Sequence, residues 1–183
     1  MRNAVAEAVV LVEGESDRVA LDTVAALLSR DLVGVRIEVL GGATNVGRVL
    51  GTLGEGTRVL GLYDEPEERW FCNGLQRAGF GKVHDRDDLE TLGFFACVRD
   101  LEDELIRALG ATRVRDVIEV QGELASLLTF QRQPAQRERT PEQQLHRFIG
   151  TRSGRKALYA RLLAEALVPE QVPRPLASLL SRL

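Results

Sequence analysis

The chain has 183 residues, 44% of them apolar and 28% charged, with a formal net charge of −3. That balance can bury a real core, and it excludes wholesale disorder, a collagen-like repeat and a disulfide framework. The charge is unevenly divided. Residues 1–106 hold 11 Lys+Arg against 20 Asp+Glu, whereas residues 107–183 hold 13 against 7, so an acidic half adjoins a basic one.

In chain order, the first half alternates strand-like and helix-like segments. Ala8–Val12 is a continuous apolar, β-rich run, as expected of a strand covered on both faces. Ser16–Ser29 follows with Val19, Leu21, Val24, Leu27 and Leu28 at helical spacing, and Ser16 is the expected N-cap. Val35–Leu40 reads as a second strand, Asn45–Leu53 as a helix, and Arg58–Tyr63 as a third strand stopped by Asp64. Glu65–Ala78 reads as a helix that tolerates Pro66 in its first turn. Phe94–Val98 is the fourth expected strand, and Asp100–Leu109 a helix closed by Gly110. The alternation predicts a parallel four-stranded α/β sheet with right-handed crossovers.

Beyond Gly110 the pattern is helical only. Helices are expected over Thr112–Gln121, Glu123–Thr129, Pro141–Ile149, Gly154–Leu167 and Leu176–Leu180. The division that follows is a core over residues 1–110 and a basic helical extension over residues 111–183. Cys72 and Cys97 have no partners at zinc-ligand spacing and read as buried, reduced thiols. No leader pattern is read at the N-terminus, and apolar runs fall far short of the roughly 18 residues of a membrane span. The expectation is a soluble, cytoplasmic protein with no membrane partner.

Ligands of open parallel sheets bind beyond the carboxyl ends of the strands. Strand 1 leads into Glu13-Gly14-Glu15-Ser16-Asp17, strand 3 into Asp64-Glu65-Pro66-Glu67-Glu68, and strand 4 into Asp100-Leu101-Glu102-Asp103-Glu104. Acidic residues at one helix start commonly do no more than complement its dipole. Three clusters at one sheet edge instead imply repulsion relieved by protons or cations, and oxygen-only ligands favour Mg²⁺ or Mn²⁺. Zinc is disfavoured, because His84 and His146 lie in none of these clusters. Glu13, directly after an apolar strand, is the strongest single candidate. The Gly41-Gly42-Ala43-Thr44-Asn45 loop could present N–H groups to a phosphate, or be only a turn. No GxxxxGK[ST] occurs, nor a GxGxxG after strand 1, which argues against a P-loop or a dinucleotide cofactor.

The basic half supplies a polyanion-binding stretch. Arg132, Arg137, Arg139, Arg147, Arg152, Arg155 and Lys156 are opposed only by Glu138 and Glu142. Arg152, Arg155 and Lys156 sit at an expected helix start, with Arg147 upstream, and backbone-directed DNA binding is the functional reading. A solvated loop and helix face is the plain alternative.

The segments VLVEGESD (Val10–Asp17), GGATN (Gly41–Asn45), LYDEPEE (Leu62–Glu68) and RDLEDELIRALG (Arg99–Gly110) together resemble a Toprim domain. This is the metal-binding catalytic fold shared by topoisomerases, DnaG-type primases, RecR proteins and OLD-family (overcoming lysogenization defect) nucleases. The DLEDEL segment and GTRSGRKALYARLLAEAL (Gly150–Leu167) are most similar to the Toprim module at the C-terminus of OLD-family ATP-dependent endonucleases. The resemblance covers nearly the whole chain. It implies a Toprim-like Rossmannoid sheet with flanking helices and a two-metal phosphodiester reaction. The implied metal ligands are Glu13, Asp17, Asp64, Asp100 and Glu102, holding two Mg²⁺ or Mn²⁺ ions, with Glu13 as ligand or general base and Lys156 as the catalytic basic residue. One departure is internal: the family's DxD motif reads Asp64-Glu65-Pro66, so its second aspartate is missing. The other is the absence of the family's ABC-type ATPase from this sequence, so ATP-dependent regulation would be missing or supplied by another chain.

The function implied is metal-dependent nicking or endonucleolytic cleavage of DNA. Two alternatives share the fold. One is a maturase-like ribonuclease using the same site. The other is a degenerate Toprim that binds nucleic acid or a partner ATPase without chemistry.

Overall fold

A computed structural model of the chain describes residues 8–54, 56–151 and 154–183. Four strands, β1 (Ala8–Val12), β2 (Val35–Val39), β3 (Arg58–Asp64) and β4 (Phe94–Cys97), form one sheet in the order β2-β1-β3-β4. Every pairing is parallel, with Val10 opposite Ile37 and Leu60, and Asp64 opposite Cys97. The expected parallel α/β sheet is therefore what forms. Its chain order reverses between β1 and β3, and open sheets of this kind leave a crevice at that point, beyond the strand carboxyl ends.

Helices α1 (Glu15–Leu27), α2 (Val46–Leu50), α3 (Glu68–Arg77), α4 (Arg86–Leu92) and α5 (Leu101–Leu109) interleave with the strands. The helices α6 (Ala111–Val120), α7 (Leu124–Gln131), α8 (Pro141–Ile149), α9 (Arg155–Glu165) and α10 (Arg174–Ser181) follow. Three details differ from the sequence reading. The segment at Ala43–Leu50 is a 3₁₀ turn and one short helix, because Gly47 and Gly51 weaken helical propensity there. A 3₁₀ turn over Glu65–Glu67 precedes α3, and it carries Pro66. Helix α4 was not anticipated. It is capped by Asp85, which accepts the Asp88 N–H at 3.1 Å, and closed by Gly93 at φ +93°. A Cβ at Gly93 would come within 2.4 Å of Leu60 Cδ2, so the turn into β4 requires glycine for both conformation and space.

Strand side chains alternate between two cores. Val10, Val12, Leu60, Leu62, Phe95 and Cys97 share one cluster with α1 and α5 and with residues of all the later helices. Val9, Leu11, Val59, Tyr63, Phe94 and Ala96 share the other with α2, α3 and α4. Period-two alternation thus serves a sheet buried on both faces, which is why β1 reads as unbroken apolar sequence. The later helices pack their apolar residues on the first face: α1 lies along α9, α5 touches α8 and α9, and α10 reaches β3 and β4, while Arg174 of α10 also pairs with Glu90 of α4 at 2.6 Å. Cys72 and Cys97 are buried and free, as expected. Among the described residues no helix is long and apolar enough to cross a membrane.

Candidate metal centre

Glu13 follows β1 directly and is fixed through its backbone. Gly41 and Gly42 N–H donate to the Glu13 carbonyl at 3.0 and 3.3 Å. Both glycines have positive φ, +67° and +119°, and Asn45 Nδ2 donates to Leu40 O at 3.0 Å. The glycine loop therefore spends these N–H groups on Glu13 rather than offering them to a phosphate, which corrects that part of the sequence reading. Gly14, not Ser16, is the N-cap of α1. Its N–H donates to Asp17 Oδ2 at 2.7 Å, so the carboxylate three residues into the turn does the capping.

Asp64 terminates β3 beside this loop, and Asp100 caps α5 by accepting the Asp103 N–H at 2.8 Å. Glu102 lies in the first turn of α5, only 3% exposed, and Lys156 Nζ on α9 stands 3.3 Å from its Oε1. That contact is an ion pair without hydrogen-bond geometry, since Glu102 Oε1 is buried with no hydrogen-bond partner, as is Glu13 Oε2. The structure brings all five carboxylates and Lys156 into one electrostatic cluster.

Their titration shows how closely the groups sit. Burial pushes Asp64 up to about 8, and the charges of Asp17, Glu13, Asp100 and Glu102 push the same way. Burial likewise raises Asp17 to about 7, against the Gly14 N–H and the Lys156 charge, with Glu102 and Glu13 adding to the rise. Glu13 is raised by burial and by Glu67, Glu102 and Asp100, with Lys156 opposing. Burial would also raise Asp100, but hydrogen bonds from His146 and Asp103 and the charge of Lys156 prevail and hold it below the ordinary range. Burial opposes the Lys156 ammonium, yet Glu102, Asp100 and Asp17 hold its pKa above that of a free lysine. Mutual repulsion and orphaned buried carboxylate oxygens are what a hard divalent cation would satisfy, so the chemistry of this set fits such an ion.

The stretch after Asp64 resolves into separate roles. Arg86 of α4 binds Glu65 at 2.7 Å and Glu68 at 3.2 Å, turning both toward itself. The Glu67 charge raises the Glu13 carboxyl. Pro66 occupies the position of the missing aspartate.

His146 was set aside in the sequence reading, and here the structure overrules it. Its Nε2 lies 2.6 Å from Asp100 Oδ2, and one ligand atom from each of Asp100, Glu102 and His146 falls within 4.8 Å of the others. No local spacing signals this, because α8 reaches the sheet edge only through packing of the extension. Nothing in the sequence singled out Arg86 either.

The basic stretch divides. Arg155 is 6% exposed and its guanidinium is consumed internally. It donates to Phe148 O at 3.0 Å, Thr151 Oγ1 at 2.8 Å and Glu123 Oε1 at 2.6 Å, and lies 4.2 Å over the Phe148 ring. Tyr159 Oη donates to the other Glu123 oxygen at 2.7 Å. Arg155 therefore faces the interior rather than an open DNA surface. Arg147 is exposed, Lys156 is half exposed beside Glu102, and Arg152 lies outside the described residues.

A four-stranded parallel sheet in this order, with acidic residues at its carboxyl edge and helices on both faces, is a Toprim-type α/β module. Solved structures place it more closely. The chain matches the C-terminal region of the Xanthomonas campestris pv. campestris OLD protein at 26% identity and a TM-score of 0.68, over 96% of this chain and 93% of that one. It matches the C-terminal region of the Burkholderia pseudomallei OLD protein in fold, at 21% identity and a TM-score of 0.69, over 96% of each chain. The protein is thus built like the OLD C-terminal module. No family model matches the sequence, and no curated protein matches it.

Proposed function

We propose that the chain is a divalent-metal-dependent nuclease that cleaves phosphodiester bonds in DNA. The observation that carries this reading is the meeting of Glu13, Asp17, Asp64, Asp100, Glu102 and Lys156 at the carboxyl edge of the sheet, with buried carboxylate oxygens lacking hydrogen bonds. The likeness to OLD C-terminal regions supports it. In this reading the five carboxylates hold two Mg²⁺ or Mn²⁺ ions, and Glu67 stands near enough to Glu13 to take the part of the aspartate replaced by Pro66. When bound, such ions supply activation of the attacking water and stabilisation of the leaving oxygen. Lys156, held charged by the carboxylates around it, is placed to neutralise charge building on the phosphoryl oxygens. Arg147 offers contact to the nucleic-acid backbone on the exposed side of α8.

The test is supercoiled plasmid with Mg²⁺ or Mn²⁺ and no ATP, with Glu13→Gln as control and a matched RNA in parallel. Nicking by the wild type and not by the variant is expected. Cleavage of RNA alone would transfer the assignment to a ribonuclease. Pro66 at the second aspartate position favours one competing reading, a module that binds nucleic acid or a partner ATPase without cleaving. Tight DNA binding with no metal-dependent nicking would establish that one instead.

A further inference from the structure

Asp100 is gripped from two sides. Its Oδ1 accepts the Asp103 N–H at 2.8 Å, an ordinary helix cap. Its Oδ2 meets His146 Nε2 at 2.6 Å, across a separation of 46 residues. On the far side of the imidazole, Arg99 Nη2 lies 3.4 Å from Nδ1. Arginine has only donors, so Nδ1 is the acceptor, and Nε2 carries the N–H that points at Asp100. Arg99 reaches this place at φ +69°, a left-handed backbone uncommon for a side chain of its size. The same residue donates its backbone N–H to Glu65 Oε2 at 3.3 Å and its guanidinium to Asp103 at 3.3 Å. An Arg99–His146–Asp100 chain therefore runs from the β4–α5 turn through α8 to the acidic cluster.

A nitrogen that donates to Asp100 has no lone pair for an ion, whereas each Asp100 oxygen keeps one. We propose that His146 is a positioning residue, which holds the Asp100 carboxylate toward Glu102 for a divalent ion without ligating that ion itself. The inference rests on the metal reading above and adds a residue of the extension to the site. Outer-shell partners of metal ligands typically account for about 10–100-fold in metal affinity.

Mn²⁺ is the probe, titrated into the full chain by electron paramagnetic resonance of the free ion. His146→Ala is expected to weaken binding about 10–100-fold. His146→Gln, whose amide N–H can still donate to Asp100, should restore most of the loss, and Arg99→Ala should fall between. Pulsed spectra of wild-type protein with bound Mn²⁺ should show no coupling from a directly ligated imidazole ¹⁴N. Such a coupling, lost in His146→Gln, would make His146 a ligand and overturn the proposal. Equal affinities in wild type and His146→Ala would overturn it while leaving the metal reading intact, whereas no Mn²⁺ binding by wild type would remove both. If His146→Ala does not fold, as judged by its melting curve, the ¹⁴N spectrum and the Arg99→Ala affinity decide.

Discussion

Asp64 governs how the metal-free protein should respond to pH. Its carboxyl titrates at about 8 in the fold and that of Asp17 at about 7, against roughly 4 in an unfolded chain. Between about pH 4 and pH 8 the folded state keeps protons that the unfolded chain releases, so stability should fall as pH rises through that window. Below about pH 4 both carboxyls are protonated in either state and their contribution is fully present, whereas Asp100, held below the ordinary range, loses its contribution as pH falls further. In EDTA, the melting temperature is expected to drop from pH 5 to pH 8, and Asp64→Asn should flatten the drop, because the amide cannot ionise. Parallel pH curves for the two proteins would contradict the assignment. The same residues bear on activity: Glu13→Gln and Asp64→Asn should each slow metal-dependent nicking at least ~10²-fold, the usual cost of losing a strong electrostatic contact to a transition state. Equal nicking by wild type and both variants would expose a contaminating nuclease.

The entry to α9 separates structural from surface arginines. Arg155 ties α9 to Phe148 and Thr151 at the end of α8 and to Glu123 at the start of α7. Arg155→Ala should remove the guanidinium from Glu123 Oε1, while the Tyr159 hydrogen bond to Glu123 Oε2 remains, and cost about 2–3 kcal/mol in urea unfolding, below the usual cost of breaking a fully buried pair. Among the described residues no such partner is seen for Arg147, on the exposed side of α8. Arg147→Ala should leave stability within about 0.5 kcal/mol of wild type. It should also lower the slope of log affinity for duplex DNA against log salt by about 0.9, the effect of one lost phosphate contact. An unchanged slope would take Arg147 off the DNA surface, and an undiminished unfolding free energy in Arg155→Ala would refute the structural role.

For the molecule as a whole, the acidic edge stores repulsion that a cation bound there would release only in the folded state. With a dissociation constant near ~1 mM and ~10 mM Mg²⁺, linkage gives about 1.4 kcal/mol of stabilisation. In a chain of this size that corresponds to roughly 3–6 °C in melting temperature. Asp100→Asn should shrink this shift. The comparison needs a sodium salt of matched ionic strength, since screening alone also eases the repulsion. Equal melting temperatures in the two salts would mean that the strand ends form no metal site.

Sheet and acidic edge were legible in the sequence because both are local signals. Unbroken apolar runs mark doubly covered strands, and a carboxylate just after such a run lies at the edge where ligands of parallel sheets bind. That held for Glu13, Asp64, Asp100 and Glu102. What local pattern could not carry is which distant side chain meets them. His146 joins Asp100 only because α8 packs on α5, and Glu65 and Glu68 turn toward Arg86 only because the unforeseen α4 passes beside them. Arg155 and Lys156 are neighbours in a basic run, yet a helix turns successive residues about 100° apart. One therefore enters the interior against Glu123 while the other meets Glu102 at the sheet edge. Local sequence was enough for the fold class and for putting carboxylates at the strand ends; long-range packing decided the contact of His146 with Asp100, the pairing of Glu65 and Glu68 with Arg86, and the burial of Arg155.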